Sequence, residues 1–593
     1  MEKILFHLTT VLATITLSFS SIVKPPSNDG KNFELLILHN NDMHARFEQT
    51  SQLSGACTTL DREAGKCYGG FPRVATVVKE ARRKAASGEG PPVLYLNAGD
   101  TYTGTAWFTI YKWKVAAEFL NALQPDAVSL GNHELDHGVS GLTPFIENLT
   151  CPVLAANLIL NKVPELEKET NLRKSVVLNK SGVSVGVIGY LTPDTKVLAV
   201  KNDVEYIEEV EALQEEVQKL KKEGVNIIIG LGHSGYLKDL EIAKKVDGLD
   251  LIIGGHTNTF LWNGTVPDSE KSLGPYPTYV VQSSGKLVPV VQAYAYTKYL
   301  GKLHMVFNSK GELLSADGRP ILLDKTVPQD PEMLSIVDKY KNKVLNYTEE
   351  VIGNTSVLLD GLSCQHKECN MGNLIADAMI YRYVSDYEGR EQWSDVPIAV
   401  IQGGGIRSSI DHADFPAPVT KGDLIAVLPF EGTLVVVTMN GKILLQMLEH
   451  SVENLTHLDY PGEFLQVSGI LVEYDMSKPA GSRVAKADAR CWNCSVPIYS
   501  RVVDTEMYNV IMPNFLSNGG DGYNMLEGLP KRALNYSELT ATLYYVQNHS
   551  PILPAVEGRV KLLRKATNGA FRILLNKTIF LLSIACLFSL NSF

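Results

Sequence analysis

The chain has 593 residues, 45% hydrophobic and 20% charged, an ordinary globular balance too long for one core, so two domains or more are expected. Its formal charge of −10 argues against a nucleic-acid partner, which needs a basic face. An acidic protein that handles anions must concentrate positive charge locally, through metal ions or a few arginines.

Lys3 precedes an apolar run over residues 4–17 and a Ser-rich stretch, a signal-peptide pattern covering residues 1–20. Apolar runs then alternate with amphipathic segments, as in an α/β domain, bounded here at 30–325. One helix, predicted over 207–222, carries Ile207, Val210, Leu213, Val217 and Leu220 on a single stripe. Residues 326–349 read as a linker helix behind a Pro-bearing loop. From 350 to 562, short apolar runs alternate with Gly-rich turns, and a second, α+β domain is expected. The apolar run 579–590 is shorter than the ~20 residues of a spanning helix. The small residues Asn568, Gly569 and Ala570 and a spacer precede it. This is a GPI-attachment pattern, with Asn568 the favoured attachment residue and 569–593 the discarded propeptide.

Cysteine spacing agrees with export. Cys57 with Cys67, Cys364 with Cys369, and Cys491 with Cys494 pair most economically as three local disulfides, leaving Cys151 single. Cys491 and Cys494 could instead be half a zinc site, but no second Cys or His pair stands near them. Sequons at Asn148, Asn263, Asn346 and Asn454 fit a glycoprotein.

Five apolar runs in the first half end in short polar turns bearing metal-ligating side chains. They lead to Asp42 and His44, to Asp100, to Asn132, His133 and Asp136, to His233, and to His256. If the runs are strands of shared direction, these groups meet on one sheet edge, where the loops at strand ends converge. A lone Asp after a strand is more often a cap, and a lone His a hydrogen-bonded structural residue. Five such turns together point elsewhere. Imidazoles, carboxylates and an amide oxygen suit zinc or a similar divalent ion, and a carboxylate such as Asp100 bridges two ions best. His133 and Asp136 read as an imidazole oriented by a carboxylate, with Asp136 as a helix cap the plain alternative.

In the second half, the Cys364–Cys369 loop stands directly before a helix predicted over 374–383, a ready anion site. Gln402-Gly-Gly-Gly-Ile-Arg407 follows an apolar run, so backbone can approach a ligand closely and Arg407 can fork onto phosphate. Phe430 and Phe515 lie beside loop-forming residues, where two rings could sandwich a purine, although composition alone favours core packing.

The turns D-x-H, GD, GNHE-x-D, GH and GGH resemble the signature of the calcineurin-like metallophosphatases. With the second-half motifs, the mature chain resembles the ecto-5′-nucleotidase family. That resemblance implies an N-terminal metallophosphatase β-sandwich flanked by helices, a linker helix and a C-terminal α+β nucleotide-binding domain. It implies one metal on Asp42, His44 and Asp100 and another on Asp100, Asn132, His233 and His256, with His133 and Asp136 catalytic beside them. It further implies Arg46 and Arg407 as phosphate contacts, Gln402 as substrate-binding, Phe430 and Phe515 on the base, and Asp521 on the ribose. Vertebrate members carry Arg where Gln365 stands, Asn where Gln402 stands and Cys where Ala376 stands. The expected function is extracellular hydrolysis of nucleoside 5′-monophosphates, AMP to adenosine and phosphate, by a two-metal hydroxide mechanism. An apyrase of the same family, cleaving ATP and ADP to AMP, is the alternative. The resemblance also implies cell-surface attachment to the outer leaflet through the anchor, and a homodimer.

Overall fold

The computed structural model describes residues 32–388, 392–412, 414–456 and 462–563. The signal peptide, Asn568 and the 569–593 propeptide lie outside them.

Strand Phe33–Asn40 runs parallel to Val93–Asn97, which runs parallel to Ala127–Ser129, while Tyr299–Phe307 pairs antiparallel with the first. A second sheet holds Val183–Leu191, Ile227–His233, Leu251–Ile253 and Leu287–Val291, neighbours in parallel. Side chains alternate across the strands, so one set faces each way. Leu35, Ile37, Leu94, Leu96 and Ala127 meet Val185, Val187, Ile229 and Leu231 between the sheets. Leu38, Tyr95 and Val128 face outward, under helices Phe71–Ser87 and Trp113–Leu123. The result is the expected sandwich flanked by helices. The five ligand-bearing strands do not share one sheet edge: three lie in one sheet and two in the other. Their ends converge because the sheets pack face to face.

The predicted helix over 207–222 is observed as Glu209–Lys222, starting later because the Glu208 carboxylate caps it, accepting from Glu211 N at 3.2 Å. The linker is helix Pro331–Thr348, capped by Asp330, with Met333, Val337 and Val344 buried on the first domain's outer core.

The second domain has a five-stranded sheet ordered Leu465–Ser468, Ile398–Gln402, Met507–Pro513, Leu434–Asn440 and Lys531–Ala533. A four-stranded sheet of Tyr499–Arg501, Val484–Arg490, Ile470–Asp475 and Val560–Leu563 adjoins it. The helix predicted over 374–383 is longer, Asn370–Ser385, because Cys369 caps it, its Sγ accepting from Gly372 N at 3.1 Å. Cys57–Cys67, Cys364–Cys369 and Cys491–Cys494 are disulfides, so the last pair is no half zinc site, and Cys151 is free and buried. Asn148, Asn263, Asn346 and Asn454 are all exposed. No helix among the described residues is long and apolar enough to cross a membrane.

Candidate active site

The strand-end turns are tight, and their ligand residues take backbone conformations that side chains disfavour. Asp42, His44, Asp100 and His256 all have φ between 47° and 79°. Such left-handed residues persist only where surroundings over-determine them, and they cluster at functional sites. Behind the Asp42–Arg46 turn, Phe47 stacks on Phe119 at 4.4 Å and meets Phe71 at 4.9 Å, anchoring the turn in the core.

Asp100 sits at the centre. Its Oδ2 lies 2.9 Å from His233 Nε2, 3.7 Å from His44 Nε2 and 3.9 Å from His133 Nε2. Asp42 Oδ1 lies 3.7 Å from His233 Nε2 and 3.9 Å from His44 Nε2. Two groups of side chains could each hold a cation, His44 with Asp100 and His133, and Asp100 with His233 and His256. Asp100 belongs to both, as a shared ligand must.

The hydrogen-bond network assigns the tautomers. His233 Nδ1 lies 2.6 Å from the Ala98 carbonyl, and His44 Nδ1 lies 2.9 Å from the Thr103 carbonyl. Each Nδ1 therefore donates, and each Nε2 is turned toward the carboxylates. Burial opposes a charged His233 ring, but Asp100 and Asp42 outweigh it and raise its pKa to about 10, so without an ion this imidazole is a cation paired with Asp100. A divalent ion would take the place of that proton between imidazole and carboxylate. Asn132 Oδ1 is buried without a hydrogen-bond partner. A buried acceptor left unmet costs about 1–3 kcal/mol, so it too fits a ligand atom. Imidazole, carboxylate and amide oxygen form a donor set suited to a borderline divalent ion. Burial, partly offset by His233, raises Asp42 to about 6, and burial lowers His256 to about 3.

His133 Nδ1 contacts both Asp136 oxygens, at 3.0 and 3.1 Å. Burial opposes the charged imidazole, but Asp136 and Asp100 outweigh it and raise the His133 pKa. Asp136 does not cap the helix that follows the turn, since Gly138–Asn148 begins behind His137.

The second domain closes onto this centre. Arg407 Nη2 donates to His44 Nε2 at 2.8 Å, and the Phe430 ring stacks on His133 at 5.4 Å. Arg46 is 1% exposed, with its guanidinium 4.5 Å from the Tyr296 ring centroid and one nitrogen donating to the His44 carbonyl. Its Nε and Nη2 have no partner. Burial lowers its pKa to about 10, leaving it cationic at neutral pH. Gln402 is buried with Oε1 unpartnered. A Cβ at Gly403 would lie 2.4 Å from the Cys364 carbonyl, so glycine is required there for the disulfide loop, and with it Gln365, to pack against the strand end. Phe515 packs on Gly520, whose missing Cβ would meet its ring at 2.6 Å. Asp521, at φ 52°, has its carbonyl bound by His450 Nε2 at 2.7 Å, and burial raises its carboxyl to about 6.

Residues without a metal-ligand signature complete the site. Asn41 donates to Asp42 Oδ2 at 2.7 Å and to the Tyr294 carbonyl at 2.6 Å. Gln292 bridges Asp239, at 2.7 Å, and the Gly255 carbonyl, at 3.1 Å, steadying the turn before His256. Asn41 was legible from its place beside Asp42; Gln292, Asp239 and Tyr296 carried no local signal.

Fold and site define a two-domain, metal-dependent phosphoesterase. The calcineurin-like phosphoesterase family matches residues 35–260, and the 5′-nucleotidase C-terminal domain matches residues 351–528. Protein 5NUC of Lutzomyia longipalpis is 45% identical, covering 94% of this chain and 98% of its own. Human 5′-nucleotidase is 43% identical, covering 93% of this chain and 94% of its own. The crystal structure of a 5′-nucleotidase precursor from Thermus thermophilus superposes with a TM-score of 0.81 at 32% identity, covering 90% of this chain and 99% of that one. The chain belongs to the 5′-nucleotidase family.

Proposed function

We propose that this protein is an exported, GPI-anchored 5′-nucleotidase that converts AMP to adenosine and phosphate where its two domains meet. The observation that carries the reading is the convergence of two cation-holding groups on Asp100, directly opposite Arg407 and Phe430. Relatives named 5′-nucleotidase over nearly their whole length support the nucleotide as substrate.

Asp42, His44 and Asp100 would hold one divalent ion, Asp42 taking the place of His133, whose raised pKa keeps it protonated, and Asp100, Asn132, His233 and His256 the other, zinc being the ion this donor set matches. When bound, the ions neutralise phosphoryl charge and lower the pKa of water. Arg46 and Arg407 bind the phosphoryl oxygens, Arg46 with nitrogens that have no protein partner. His133, oriented by Asp136, holds a proton on the side facing Asp100 and stabilises charge on the phosphoryl group or the leaving 5′-oxygen. Phe430 and Phe515 stack the base, Asp521 accepts from ribose hydroxyls, and Gln402 offers the substrate an amide oxygen that has no protein partner. Arg407 donates to the His44 Nε2 that would hold an ion, and with that nitrogen engaged its guanidinium would be available to phosphate. Exposed Trp492, Val496, Ile498 and Tyr499 around the Cys491–Cys494 loop support a homodimer through this domain.

The test is phosphate release from AMP, ADP and ATP by protein ending at Asn568, chelated and then restored with zinc. Zinc-dependent release from AMP, with little from ADP or ATP, is expected. Release from ATP and ADP that stops at AMP would make the protein an apyrase instead. Release of the full-length protein from cells by a phosphatidylinositol-specific phospholipase tests the anchor.

A further inference from the structure

Glu134 closes the Gly131–Glu134 turn and belongs to neither cation-holding group. Its side chain is buried, and four backbone N–H groups converge on its carboxylate. Oε2 accepts from Gly131 at 2.7 Å and from Asp100 at 3.0 Å. Oε1 accepts from Thr101 at 2.7 Å and from Tyr102 at 3.2 Å. The donors belong to two turns that follow different strands, Val93–Asn97 and Ala127–Ser129.

These turns lie back to back with no room for side chains between them. A Cβ at Gly99 would come within 2.5 Å of Gly131 N, and one at Gly131 within 2.1 Å of Asp100 Oδ1. Asp100 is held at φ 55°, which turns its amide toward Glu134 while its carboxylate faces three imidazoles. The same turn pair carries Asn132 and His133, and the His133 amide donates to Asp100 Oδ1 at 2.9 Å. A carboxylate offers about four lone-pair sites on two oxygens, matching four donors; a glutamine would set its own N–H₂ against two of them.

We propose that Glu134 is a positioning residue that clasps the two turns together, holding Asp100 in its left-handed conformation and in register with Asn132. It thereby sets the spacing of the two cation-holding groups, an inference that rests on Asp100 being their shared ligand. Outer partners of metal ligands govern affinity without touching the metal, typically by 10- to 100-fold.

The experiment compares wild type with Glu134→Gln and Glu134→Asp, as the complete ectodomain. Zinc affinity is read by calorimetry after chelation, kcat and KM with AMP, and amide exchange of the Asp100–Tyr102 segment in metal-free protein. Folded Glu134→Gln is expected to bind zinc about 10- to 100-fold more weakly, with faster exchange in that segment. Its kcat falls while KM for AMP moves about twofold or less. Wild-type zinc affinity and kcat in folded Glu134→Gln would overturn the clasp, whatever the change in Tm. Should Glu134→Gln not fold, Glu134→Asp decides, since its shorter reach cannot serve all four donors: an unchanged zinc affinity there overturns the clasp. Failure of wild type itself to bind zinc would overturn the proposed metal-dependent function, and amide exchange in metal-free protein would still test the clasp.

Discussion

His133 and Asp136 stand three positions apart, and the structure brings both carboxylate oxygens onto one ring nitrogen. Replacing His133 with alanine is expected to lower kcat for AMP by about 10²- to 10⁴-fold with a much smaller change in KM, read by steady-state kinetics. Arg407→Ala removes a charge-assisted contact, about 1.5–3 kcal/mol, so kcat/KM for AMP should fall roughly 10- to 100-fold. In the proposed ribose-binding role, Asp521 sets function against stability. Burial raises its carboxyl from 3.8 to about 6, so the folded protein holds this proton more tightly than the unfolded chain. Stability therefore falls as pH rises through that window and stays lower above it. Asp521→Asn should be about 1–2 kcal/mol more stable than wild type at pH 7, and no more stable below pH 4, in denaturant titrations. The same substitution should raise KM for AMP, because the amide replaces a charged acceptor for ribose hydroxyls.

At the scale of elements, the site depends on glycines that let turns touch. Gly99, at φ 85°, leaves space that Gly131 backbone occupies. Gly99→Ala combines a disfavoured conformation with a clash against backbone and is expected to cost about 1–3 kcal/mol. Thermal unfolding measures that cost, and zinc titration should show weakened binding. These turns were legible because strand alternation and the residues that follow each strand are local in sequence. Gly403 was legible as close-approach backbone, but its neighbour across the gap, the Cys364 carbonyl, was not. Helix starts differed where the residue immediately before the helix provides the cap, as Glu208 does by accepting from Glu211 N.

For the whole molecule, contacts between the domains hold a closed arrangement. Arg407 reaches His44, Phe430 covers His133, Lys112 pairs with Glu431 at 2.6 Å, and Asp411 accepts from Ser51 Oγ at 2.5 Å and from Leu53 N at 3.0 Å. Asp411 lies far from the cation-holding groups in sequence and touches none of them. Asp411→Ala is expected to loosen closure, raising KM for AMP about three- to tenfold with an unchanged zinc affinity and a larger radius of gyration by small-angle scattering. A KM equal to wild type with unchanged scattering would show that this contact does not govern closure.

By itself the sequence determined the three disulfides, the ligand-type side chains at five turns and the pairing of a metallophosphatase half with a second, α+β domain. Each of these follows from short-range patterns: alternation, turn chemistry, and spacing within a few residues. Only the tertiary structure decided that the turns come from two sheets and still converge. It also decided that Asp100 is central, that Arg46 is enclosed against Tyr296, and that Glu134 serves two turns at once. The physical reason is range. Arg407 and His44 meet across 363 positions, and Asn41 and Tyr294 across 253, through packing of whole sheets and domains that no local pattern encodes.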